Sequence, residues 1–242
     1  MRANLSHTGQ RAAAWVHRLI SGLPRSTRRV GDDLPTDRFQ IHLAIYRFAA
    51  AHCRGLKALD LGCGTGFGTA EFARAGADEA VGIDLDPRCV AFARRHFRKT
   101  GAVFVEGDLC AKPDVLPVLR RIGAEGGADL AVAVDLLHDL EKPIPALEGA
   151  SRLLRGDGRL LLAHPTDEPL AEEVDEYLRS SFDAIELWSV EAPTVDLDST
   201  AHSVFAPDDF KILPGKSRSP EQAFQIYDCQ GPVDRRSLAA SM

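Results

Sequence analysis

The chain has 242 residues, of which 45% are apolar and 26% charged, with a formal net charge of −6 and a pI near 5.8. That length suits one large α/β domain with a decorated end and is short for two. An acidic chain is repelled by a phosphate backbone, so nucleic acid is a disfavoured partner.

The first apolar run, residues 12–16, is broken by His17 and Arg18, too short for a signal peptide or a membrane span, and residues 10–21 read as an amphipathic helix. Residues 22–37 are a linker with Pro24, Gly31 and Pro35, basic at Arg25, Arg28 and Arg29 and acidic at Asp32 and Asp33. From 39 to 52 apolar residues recur at helical spacing through Phe39, Leu43, Tyr46 and Ala50. Strands at 57–61, 79–84, 102–106, 128–134 and 158–163 then alternate with helices at 67–75, 87–99, 115–122 and 143–154. Asp86, ahead of Pro87, is placed to cap the second of these helices. A helix at 170–180 and strands at 184–190 and 223–228 end the series, the last two predicted as an antiparallel pair at one edge. The alternation predicts βαβ units, hence a doubly wound, mostly parallel sheet covered on both faces. Between Glu191 and Gln222 lies a connection of about thirty residues, a length associated with function or disorder.

Cys53, Cys63, Cys89, Cys110 and Cys229 show no C-x-x-C pair, and no zinc spacing joins them to the eight histidines. An odd set of thiols fits a reducing, cytoplasmic compartment, and no metal is expected.

The chemistry concentrates after the first strand, in Asp60-Leu61-Gly62-Cys63-Gly64-Thr65-Gly66. Glycines permit positive φ and let a ligand lie on the backbone, and the helix that follows offers free N–H groups. Asp60, two residues before the first glycine, repels a pyrophosphate and suits an ammonium or sulfonium group. Started at Gly62, the dinucleotide pattern G-x-G-x-x-G fails at Phe67, which disfavours a nicotinamide-dependent dehydrogenase. Asp84 ends the second strand, where an acid accepts both ribose hydroxyls. Asp108 follows the third strand within reach of an adenine amino group, and Leu85 and Leu109 are placed to sandwich the ring. Cys63 fills the turn and brings no thiol chemistry.

With these residues in order the sequence resembles the class I S-adenosylmethionine-dependent methyltransferases. The glycine motif, Asp84, Asp108, the strand Asp129-Leu130-Ala131-Val132-Ala133-Val134-Asp135 and the turn Leu154-Arg155-Gly156-Asp157-Gly158 carry the likeness, over about residues 39–190. The resemblance implies a seven-stranded sheet of order 3-2-1-4-5-7-6, strand 7 antiparallel, under an N-terminal helical cap. It implies S-adenosylmethionine as cofactor, leaving S-adenosylhomocysteine, and binding at Asp60, Gly62, Cys63, Gly64, Gly66, Asp84, Leu85, Asp108, Leu109 and Asp135. In relatives an arginine commonly precedes the tyrosine of the helix before the first strand; here Ile45 precedes Tyr46 and Arg47 follows it.

Methyl transfer from a sulfonium needs alignment above all, and a hydroxyl acceptor also needs a base. The loop after the fourth strand carries His138 between Asp135 and Asp139, and His138 is the residue expected to take a proton. His164, at the end of the fifth strand, is a second candidate for a substrate role, ahead of His42 and His202. The layout expected is an N-terminal helical extension and linker at 1–38, the cofactor domain at 39–230 with an insertion at about 191–222, and a tail at 231–242. The acceptor expected is a small molecule; the alternatives are an RNA or protein methyltransferase and a cofactor-binding subunit without transfer. The insertion's Asp196, Asp198, Asp208 and Asp209 suit either a lid over an amine-bearing acceptor or a solvated loop.

Overall fold

The computed structural model describes residues 36–110, 126–166, 170–191, 207–216 and 222–233. The expected helices at 10–21 and 115–122, the linker up to residue 35, most of the 191–222 stretch and the C-terminal tail after residue 233 lie outside the described residues.

Helix α1 (Thr36–Ala50) leads to strand β1 (Lys57–Leu61), and α2 (Phe67–Ala75), β2 (Glu79–Asp84), α3 (Pro87–Phe97) and β3 (Val103–Glu106) follow in alternation. Further along come β4 (Ala128–Val134), α4 (Pro143–Leu153), β5 (Leu154–Pro165), α5 (Glu172–Ser181), β6 (Phe182–Glu191), β7 (Lys211–Pro214) and β8 (Gln222–Pro232). Among the described residues no helix is long and apolar enough to cross a membrane.

The strands form one sheet of order β3-β2-β1-β4-β5-β8-β6-β7. β1 to β5 are parallel, and β8 runs antiparallel between β5 and β6. This is the order the resemblance implies, with one strand more. The extra strand is β7, which comes from the long connection and pairs antiparallel with β6 from Trp188↔Pro214 to Glu191↔Lys211. It therefore takes the edge, and the final pair of the sequence reading lies inside it. A four-residue segment, Lys-Ile-Leu-Pro, carries too little periodicity to be read as a strand; the exposed edge of β6 makes it one.

Alternation along the strands divides the core in two. Leu130, Val132 and Val134 of β4, with Leu161 and Ala163 of β5, join the cluster under α1, α2 and α3. Ala131, Ala133, Leu160 and Leu162 join the opposite cluster under α4 and α5, with Leu147, Leu153 and Leu178. A strand covered on both faces must be apolar at successive positions, as β4 is. On β1, Ala58 faces the α1 side and Leu59 and Leu61 the other, so Asp60 is turned toward α1 and α2. Asp86 does cap α3: its carboxylate accepts from the Arg88 N–H at 2.8 Å, with Pro87 in the first turn.

Candidate active site

β1 runs into the glycine turn, and hydrogen bonds strap that turn to β2. The N–H groups of Gly62 and Cys63 both donate to the Ile83 carbonyl, at 2.8 and 3.0 Å. Gly64 donates its N–H to Asp84 Oδ2 at 2.7 Å, and the Asp86 N–H reaches Asp84 Oδ1 at 2.8 Å. Two backbone donors thus orient the Asp84 carboxylate, and each oxygen keeps lone-pair capacity for a ligand hydroxyl. Leu85, the next residue, is 64% exposed, an apolar side chain presented beside that carboxylate.

Gly62 and Gly66 have φ of +69° and +86°. A Cβ on Gly62 would stand 2.6 Å from Leu136 Cδ1, and one on Gly66 2.6 Å from Ala93 Cβ. Both the backbone conformation and the packing therefore require glycine. Gly66 caps α2 without a side-chain hydrogen bond, so the first N–H groups of α2 have no side-chain acceptor from their cap. The Thr65 hydroxyl in the same turn is buried without a hydrogen-bond partner among the described residues. Cys63 is 3% exposed, and burial pushes its thiol well above the ordinary range; it is a filler packed beneath β2. Asp108 is exposed and accepts the Cys110 N–H at 2.8 Å, closing a turn after β3. Leu109 is partly buried against the α4 side of the core.

Asp60 is fully buried, and its two oxygens accept from the Tyr46 hydroxyl of α1 at 3.0 Å and the Thr69 hydroxyl of α2 at 2.7 Å. Burial raises its pKa from 3.8 to about 7, against the lowering effect of the two hydroxyls. Tyr46 in turn is held well above the usual tyrosine range by burial first and by the Asp60 charge next. The strand alternation accounts for this placement: Asp60 sits on the α1/α2 face, where helix hydroxyls are its neighbours.

β4 is followed by Asp135, whose φ is +56° and whose N–H donates to the Ala163 carbonyl at 3.0 Å. Its carboxylate oxygen Oδ2 lies 3.1 Å from Nε2 of His42 on α1. His138 falls on the 3-10 turn Leu137–Asp139 that follows, and its side chain is outside the described residues. His164 is 7% exposed at the end of β5, paired through the backbone with Gln225 of β8. His202, Asp196 and Asp198 are outside the described residues. Asp208, on the turn Pro207–Asp209, accepts from Arg47 of α1 at 3.0 Å, so this acid of the insertion is tied to the helical cap.

Residues 59–162 match the family described as Methyltransferase domain. The ubiquinone biosynthesis O-methyltransferase of Methylococcus capsulatus is 30% identical over 121 residues, 48% of this chain and 47% of that protein. The chain spans about half the length, or less, of the first curated relatives it matches. A TehB-like SAM-dependent methyltransferase from Corynebacterium glutamicum shares the fold with a TM-score of 0.53 at 22% identity, over 94% of this chain and 100% of that one. The N-methyltransferase NodS of Bradyrhizobium japonicum, solved in complex with S-adenosylhomocysteine, gives 0.57 at 15% identity, over 92% and 98%. At these identities the two structures speak to the fold alone. Over residues 59–162 the chain is similar to a methyltransferase domain, and its fold is the one these two methyltransferase structures share.

The family match begins at Leu59 in β1 and stops at Leu162 in β5. It takes in the glycine turn, Asp84, Asp108 and the β4 loop, and it leaves out α1 and β6 to β8. Two of the contacts that sequence reasoning missed come from the omitted helix: Tyr46 on Asp60, and His42 on Asp135. Their signal was present as spacing, since residues four apart share one face of a helix. Nothing in the sequence marked Thr69.

Proposed function

We propose that this domain binds S-adenosylmethionine across the carboxyl ends of β1 and β2 and transfers its methyl group to an O, N or C atom of a small molecule. The observation that carries the reading is the Asp84 carboxylate, aimed by the Gly64 and Asp86 N–H groups and flanked by exposed Leu85. A nucleoside fits that arrangement: ribose hydroxyls donate to the carboxylate, and the base covers the leucine. Gly62, Cys63, Gly64 and Gly66 would carry the amino-acid half along the turn, and Asp108 and Leu109 would close the adenine side. Asp60, with hydroxyls on both oxygens, would shape that floor from below.

Bound there, the cofactor supplies a methyl group already activated by a sulfonium. The chain's task is then to align an acceptor, exclude water and receive a proton where the acceptor carries one. The acceptor side is the neighbouring set of strand ends, β4 and β5, with Asp135 and the loop holding His138. A small acceptor is supported by the acidic charge and by the ubiquinone biosynthesis O-methyltransferase among the relatives. A reducing cytoplasm is supported by five free thiols.

Calorimetry with S-adenosylhomocysteine and with NAD tests the cofactor, and micromolar binding of the first alone is expected. Preferential binding of NAD overturns the reading. Incubation with methyl-labelled S-adenosylmethionine and a fractionated cell extract then finds the acceptor: label in a low-molecular-weight fraction is expected, and label in RNA or protein removes the small-molecule claim.

A further inference from the structure

Three costly features meet at the carboxyl end of β4. Asp135 holds a φ of +56°, uncommon for any residue but glycine. Its carboxylate oxygen stands 3.1 Å from Nε2 of His42, with the two side chains only 4% and 9% exposed, and a carboxylate enclosed in this way is costly to desolvate. On α1 the buried Ile41, Ala44 and Ile45 lie close by in sequence, and an apolar residue at position 42 would pack at no such cost. Strain and buried charge kept together at the end of a strand point to use.

Its surroundings say what use. The His42 ring meets the edge of Phe224 from β8 at 5.4 Å. His164 lies buried at the end of β5, and Tyr46, one turn along α1, is bonded to Asp60. β4 adjoins β1 in the sheet and stands two strands from the Asp84 strand. The pair therefore lies beside the cofactor position, on the side left for the acceptor. With Nε2 turned to a carboxylate, Nδ1 is the nitrogen left to take a proton.

We propose that His42, held by Asp135, takes the proton from the acceptor's nucleophilic hydroxyl, and that the acceptor is a phenol or enol acidic enough for an imidazole to deprotonate. This rests on the methyl-transfer reading above. As the acceptor oxygen bonds to the methyl carbon, the carbon–sulfur electron pair stays on sulfur and the hydroxyl proton passes to His42 Nδ1. The imidazolium faces the Asp135 carboxylate and gives its proton to solvent once the methylated product leaves. The positive charge that starts on the sulfonium ends on His42, so the net charge of the site is unchanged by the step.

The test uses 4-nitrophenol, whose phenolate absorbs visible light and whose neutral form does not. It is titrated into protein saturated with S-adenosylhomocysteine, at a pH where the free probe is mostly neutral. The wild type is expected to show the phenolate band. His42→Gln should cut the ionised fraction of bound probe by about tenfold or more, Asp135→Asn by less, and His52→Gln, on an exposed residue, not at all. Should His42→Gln fail to fold by circular dichroism, Asp135→Asn decides, and an undiminished band there overturns the proposal. So does a band equal in wild type and His42→Gln, or one lost in His138→Gln and kept in His42→Gln. A wild type that binds S-adenosylhomocysteine and not the probe removes the phenol class. A wild type that does not bind S-adenosylhomocysteine removes the methyl-transfer reading itself.

Discussion

The ends of β1 and β2 and the ends of β4, β5 and β8 are built by different means. At the first, backbone N–H groups of Gly62, Cys63 and Gly64 bond to Ile83 and Asp84, so one βαβ unit makes nearly the whole arrangement. At the second, side chains from far apart in the chain converge: His42, Asp135 and Phe224. A backbone cradle serves a cofactor common to a family; a side-chain assembly is what changes when the acceptor changes. Asp60 lies between the two regions, under the same helix that covers Asp135.

Acid titration gives the largest expected effect, because Asp60 joins the halves through Tyr46. Its native pKa is raised from 3.8 to about 7. Between those values the native state holds a proton that the unfolded state has lost, so stability is full below the lower value and falls as pH rises toward the upper one. The slope is about 1.4 kcal/mol per pH unit in that window. Urea unfolding across it should show the fall in wild type and a flatter line in Asp60→Asn; parallel lines would mean Asp60 is ionised in the fold.

Gly66→Val attacks the backbone-built half directly. Positive φ and the contacts with Ala93 and Phe104 should cost about 3 kcal/mol in unfolding experiments and abolish S-adenosylhomocysteine binding. A stable variant that still binds breaks the claim that this half needs glycine. Asp84→Ala should weaken S-adenosylhomocysteine by about 1.5–3 kcal/mol in calorimetry, with Asp84→Asn milder because one acceptor oxygen stays. Equal affinity in all three proteins would show that Asp84 is not the ribose acid. The smallest effect belongs to the other half's rim: Arg47→Ala removes an exposed pair with Asp208 and should change unfolding stability by no more than about 1 kcal/mol. A larger loss would make the insertion's hold on α1 part of the fold's foundation.

Much of the architecture was legible along the chain. The strand and helix order through α3, the Asp86 cap, the glycine turn and the placement of Asp84 at the end of β2 each depend on residues close in sequence, and local rules suffice for those. The short strand β7 was not legible, since pairing with β6 makes it. Nor were the partners of Asp60: the alternation Ala58, Asp60 put that acid on the α1 side, but that Tyr46 and Thr69 waited there required two helices to be set over the sheet.

The sequence by itself determined the class of fold, its sheet order by way of the family likeness, and the residues of the glycine turn with its two following acids. Those features come from φ preferences, hydrophobic period and helix capping, which act over a few neighbouring residues. Only the tertiary structure decided that Asp60 is enclosed by hydroxyls, that His42 stands 3.1 Å from Asp135 and that β7 pairs along the edge of β6. Such contacts join segments far apart in the chain, and they form because burying both faces of the sheet forces helix α1 across the ends of β1 and β4, where its polar side chains must find partners.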